Sequence, residues 1–129
     1  NGKLVEKVWK MGGMYNDEIK NIIYWLSKAS EHSENKKQKE GLELLIKYYE
    51  TGDLNIWDEY NVVWVETTEG DVDYINGFIE VYNDPKGYRG SYESVVQIKD
   101  FNMSKKIYFQ TDFNVFMVED VFEHLRVAL

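Results

Sequence analysis

The sequence predicts an α+β chain: a three-helix amino-terminal half, then a small antiparallel β-sheet, then a short carboxy-terminal helix. Apolar residues recur every three or four positions from Asn16 to Val65, the period of an amphipathic helix. They switch to alternation in Asn76–Tyr82 and Tyr92–Ile98, the period of a strand. Between the alternating runs lie Asn83, Asp84, Pro85, Gly87 and Gly90, residues that make turns.

Each element has its own justification. In the first helix, Asn16 to Ser30, the core stripe is Ile19, Ile22, Ile23, Leu26 and Ala29. Asn16 is the expected cap, and Asp17 and Glu18 stand in the first turn, where the helix dipole favours negative charge. The second helix runs from Lys36 to Glu50 with Leu42, Leu45, Ile46 and Tyr49 inward. Thr51-Gly52-Asp53 then reads as a stop and a restart, glycine just past one helix and aspartate capping the next. A third helix over Leu54–Val65 is expected to bury Leu54, Trp57, Tyr60 and Trp64. The first strand ends at Tyr82, with Asn76, Phe78, Glu80 and Tyr82 on one face and Ile75, Gly77, Ile79 and Val81 on the other. Glu119–Leu129, bearing Val121, Phe122 and Leu125, forms the terminal helix. By position the chain divides into a helical part (1–66), a β part (67–106) and a tail (107–129).

Composition narrows the function classes. Of 129 residues, 43% are hydrophobic and 29% charged, as in soluble globular chains rather than disordered ones. Aromatic residues reach 16%, which fits a core rich in large rings better than a sticky surface. With 23 acidic residues against 15 basic, the formal charge is −8, and nucleic acid is excluded as a partner because phosphate binding needs clustered Lys and Arg. No apolar run approaches a membrane span. The absence of cysteine removes disulfides and thiol chemistry and leaves the compartment open, cytoplasmic or periplasmic.

The most specific feature is Gly77-Phe78-Ile79-Glu80-Val81-Tyr82-Asn83-Asp84-Pro85-Lys86-Gly87. This block resembles the G-F-I-E-x-Y-x-D-P-x-G segment of the dipeptidyl-peptidase III family of zinc exopeptidases. Val5–Tyr15 is also similar to bacterial members, and the resemblance runs from the amino terminus to about Lys106. It does not extend over Ile107–Leu129. The resemblance implies that Glu80 holds the free amino terminus of a peptide substrate. It implies that the Tyr82 hydroxyl stabilises an oxyanion at the scissile bond, the catalytic role in the intact enzyme. Both roles are chemically apt, since charge-assisted hydrogen bonds are strongest in a partly desolvated cleft and a phenol is a preorganised donor. Asn76, Asn83 and Arg89 are further candidates for substrate binding, although asparagine beside a turn usually stabilises the turn itself.

The family's zinc rests on a helix with H-E-x-x-x-H and on a further glutamate, because catalytic zinc takes three protein ligands and an open position. Here the only histidines are His32 and His124, and neither lies in such a motif. The expectation is a fragment or truncated relative: a substrate-binding segment without cofactor of its own, inactive alone, whose zinc belongs to the intact enzyme. Two alternatives stay open, a non-catalytic peptide-binding or protein-interaction module and a folded remnant with no ligand. Self-association, or a missing catalytic domain as partner, would cover its exposed surfaces.

Overall fold

The computed structural model describes residues 2–87 and 90–111, the last four of these by backbone alone. Helices α1 (Asn16–Glu31), α2 (Lys36–Thr51) and α3 (Leu54–Glu66) are followed by strands β1 (Val72–Glu80) and β2 (Ser91–Ile98) and by helix α4 (Phe101–Thr111). This is the expected α+β order. The chain divides into two units, residues 1–71 and 72–129.

In the helical unit α2 packs against both α1 and α3. Its buried stripe, Gln38, Leu42, Leu45 and Tyr49, follows the three- and four-residue spacing that puts side chains on one helical face. Ile19 and Leu26 from α1 and Ile56 and Tyr60 from α3 complete the core. An aromatic run ties α2 to α3: Tyr48 lies 4.9 Å from Trp57, and Trp57 lies 5.3 Å from Tyr60, between ring centroids. Yet among the described residues only Tyr49 and Tyr60 are rings in the buried core, beside aliphatic Ile19, Leu26, Leu42, Leu45 and Ile56, so the core is less ring-rich than composition suggested. Other rings stay outside, notably the edge-on pair Tyr24 and Trp25 on α1, 55% and 68% exposed.

The stop and restart at Thr51–Asp53 is as read from sequence. Gly52 closes α2 at φ 71° with its N–H on the Tyr48 carbonyl, and the Asp53 carboxylate accepts the Asn55 N–H at 2.9 Å. Two other local expectations are corrected. Asn16 does not cap α1, because its Oδ1 faces backwards and accepts the Gly12 N–H at 2.7 Å. The cap position falls to Tyr15, whose side chain makes no capping hydrogen bond and whose left-handed φ of 59° is uncommon for a residue with a side chain. Leu54 is 68% exposed rather than buried. It precedes Ile56 by two residues, about 200° around the helix, so the stripe that buries Ile56 and Tyr60 turns Leu54 outward.

The segment before α1 folds over the end of α2, with the Met11 N–H on the Tyr49 carbonyl and the Met14 N–H on the Val8 carbonyl, each at 2.8 Å. Gly13 is required there, since a Cβ would come within 2.3 Å of the Val8 carbonyl oxygen. At the other end of the unit, the corner between α1 and α2 grips the chain leaving α3. Asn35 Nδ2 donates to the Glu69 carbonyl and the Asp71 N–H donates to the Glu34 carboxylate, both at 2.9 Å.

In the second unit β1 and β2 pair antiparallel from Val72 opposite Ile98 to Phe78 opposite Tyr92. Asp100 caps α4, its carboxylate accepting the N–H groups of Asn102 and Met103 at 2.9 and 3.0 Å. The helix continues through Ile107 to Thr111. The terminal helix expected over Glu119–Leu129 lies outside the described residues.

Candidate functional site

The ribbon is where the sequence concentrates its chemistry, and one irregularity decides how that chemistry is displayed. After the Phe78–Tyr92 pair the next partners are Glu80 and Ser91. β1 has one residue more than β2 at this point, a β-bulge at Ile79. Since Ser91 lies one residue from Tyr92, it and its partner Glu80 belong to the opposite face from Tyr92 and Phe78. The expectation that Asn76, Phe78 and Glu80 share one face is thus corrected by a single extra residue. Gly90 permits the close approach behind the bulge, for a Cβ there would meet the Phe78 carbonyl at 3.1 Å.

Glu80 is the last residue of β1 and is exposed. Among the described residues no cation pairs with it. Tyr82 lies beyond the strand rather than at its end, in the turn, and is 73% exposed. The turn is closed by the Asp84 N–H on the Val81 carbonyl at 3.0 Å and by the Gly87 N–H on the Asp84 carbonyl at 2.9 Å. The Asp84 carboxylate accepts the Lys86 N–H at 3.2 Å, the local bond by which aspartate favours turns. These bonds take the backbone out of the ladder, which is why β1 stops at Glu80.

Asn83 donates from Nδ2 to Ser91 Oγ at 3.3 Å and so ties the turn to the start of β2. Asn76 is buried, and its Nδ2 donates to Tyr92 Oη at 2.8 Å and to Ser94 Oγ at 3.2 Å. Tyr92 also packs edge-on to Phe78, with centroids 5.4 Å apart. Arg89 lies outside the described residues. The structure therefore brings Glu80, Tyr82 and Asn83 to one end of the ribbon and sets Asn76 within a polar cluster further along it. Sequence reasoning missed Tyr92 and Ser94. Pairing the two strands outward from Phe78 and Tyr92 would have found them, because that register puts Ser94 directly opposite Asn76.

No group of three or more His, Cys, Asp or Glu side chains among the described residues could hold a metal ion. The described residues do not fit a zinc centre. No described helix is long and apolar enough to cross a membrane.

The family model described as Peptidase family M49 matches residues 3–112, reaching beyond Lys106, where the resemblance was expected to end. Dipeptidyl peptidase 3 from Rattus norvegicus is 28% identical over 94 residues, covering 73% of this chain and 13% of the relative. The Homo sapiens protein of that name is 29% identical over the same shares. Dipeptidyl peptidase 3 from Dictyostelium discoideum is 28% identical over 100 residues, covering 78% of this chain and 14% of the relative. The chain thus spans about one seventh of the length of these relatives. With most of its residues matched, it belongs to Peptidase family M49, a family of metallopeptidases.

Proposed function

We propose that this chain is the substrate-binding segment of a dipeptidyl-peptidase III-like zinc exopeptidase, which removes dipeptides from the amino ends of peptides. The observation that carries this reading is Glu80, exposed at the end of β1 with no cation paired to it among the described residues, within the stretch matched to the family. Its carboxylate receives the α-ammonium of the substrate through charge-assisted hydrogen bonds. Tyr82, two residues on and in the turn, presents a phenol to the carbonyl oxygen as negative charge develops there. Asn83 steadies the turn that carries Tyr82, Asn76 supports the ribbon from within, and the planar fork of Arg89 suits a substrate carboxylate. In the intact enzyme the metal and the general base come from residues outside this chain. The chain alone binds and orients and does not hydrolyse.

Calorimetric titration with a short peptide bearing a free amino terminus tests this. The expected result is saturable, zinc-independent heat that disappears on acetylating the peptide. It weakens about tenfold or more in Glu80→Gln, as the loss of a charged hydrogen bond requires. Binding unaffected by acetylation and by Glu80→Gln would overturn the assignment of Glu80. Absence of saturable heat would favour a folded remnant without ligand.

A further inference from the structure

The polar cluster along the ribbon has a chemistry that the Glu80 reading does not use. Asn76 is 9% exposed, and its amide nitrogen donates to both Tyr92 Oη and Ser94 Oγ. An amide nitrogen has hydrogens and no lone pair to offer, so both hydroxyls act as acceptors in these contacts, and each retains its own hydrogen. Among the described residues neither hydroxyl donates that hydrogen to anything. Tyr92 and Ser94 are both exposed, Tyr92 by 39%. One buried amide therefore fixes two hydroxyl oxygens on one face of β2, each keeping an O–H that no described residue accepts.

We propose that the Tyr92 and Ser94 hydroxyls form a second binding site, a paired donor for the amide carbonyl of a peptide, preorganised by Asn76. Two lone pairs on a carbonyl oxygen match two O–H donors. The net charge of −8 selects against a carboxylate or phosphate and in favour of a neutral acceptor, because the field of the whole chain repels anions. Phe78, edge-on to Tyr92, and Val96, 63% exposed and two residues beyond Ser94 on the same face, give apolar contact on either side for a peptide side chain. The bulge puts this site on the opposite face of the ribbon from Glu80. It needs no free amino terminus and goes beyond the terminal recognition proposed above.

The test follows the side-chain amide resonances of Asn76 by NMR while the chain is titrated with N-acetyl-Ala-Val-Ala-amide, a peptide without charge at either end. The expected result is a saturable shift. Its dissociation constant rises about three- to tenfold in Tyr92→Phe and in Ser94→Ala, the loss of one neutral hydrogen bond, and is unchanged in Glu80→Gln. Replacing the bound amide by an ester, a poorer acceptor, should weaken binding to the native chain and make little difference to Tyr92→Phe, a dependence that a purely structural role for Tyr92 would not produce. If Tyr92→Phe does not fold, exposed Ser94→Ala carries the comparison. No saturable shift, or equal constants in the native chain and both hydroxyl variants, would overturn the proposal. So would weakening by Glu80→Gln, which would assign the capped peptide to the other face.

Discussion

The helical unit and the β-ribbon bury their apolar residues to very different degrees. In the helices Leu45 and Tyr49 are fully buried and Ile19 nearly so, with caps at Asn35 and Asp53 and aromatic rings bridging α2 and α3. In the ribbon apolar residues on both faces reach solvent, among them Ile75 at 39% and Ile98 at 75% exposure. A two-stranded ribbon alone is marginal in water. The helical unit holds its own fold, whereas the ribbon leaves its side chains on display, which is where the proposed recognition falls.

That contrast is sharpest in core truncation. Leu45→Ala should destabilise the helical unit by about 2–5 kcal/mol, the loss of transfer energy plus a cavity, measured by urea denaturation followed by far-UV circular dichroism. Ile98→Ala on the ribbon should change the same midpoint by less than about 0.5 kcal/mol. Similar losses for the two would break the comparison.

Gly13→Ala should cost about 1–3 kcal/mol, because the new methyl meets the Val8 carbonyl oxygen. It should also speed amide exchange at Met11 and Met14, whose bonds hold the same segment. Asn35→Ala should cost about 1 kcal/mol through loss of the α2 cap. Because Asn35 also holds the Glu69 carbonyl, proteolysis should increase between Thr67 and Asp71. A cap effect without that cleavage would show that the corner does not restrain the chain leaving α3.

A smaller effect concerns alkaline pH. Burial pushes the Tyr48 phenol above its ordinary value, since the phenolate is disfavoured away from water. The folded state then keeps a proton that the unfolded chain releases. The stabilisation is fully present below the unfolded value of about 10 and is lost as pH rises through the folded one. Tyr48→Phe should therefore flatten the fall in melting temperature above about pH 10. An unchanged alkaline slope would contradict the burial of that hydroxyl.

Much of this division was legible in the residues. Three-and-four spacing located all three helices of the first unit, and Gly52 with Asp53 marked the boundary between two of them. These signals are local, and helix geometry follows them. The ribbon depended on pairing across the chain, which a one-dimensional pattern does not encode. Alternation in Asn76–Tyr82 implied one continuous face, yet a single unpaired residue at Ile79 reversed it for Glu80, as any one-residue slip must. Asn16 misled for a related reason, since its side chain was engaged by a glycine turn behind it. The Glu80 and Tyr82 block was legible through its resemblance to a family, whereas Tyr92 and Ser94 became visible only once Asn76 had a strand opposite it.

The proposed function puts recognition on the ribbon and not on the helices, whose exposed Tyr24 and Trp25 offer a competing aromatic surface. Backbone amide shifts of the full chain, recorded by NMR during titration with a free-amino tripeptide, test it most directly. Saturable shifts are expected in Phe78–Tyr82 and Ser91, with α1 unmoved. Shifts centred on Tyr24 and Trp25, with Glu80 unaffected, would contradict it.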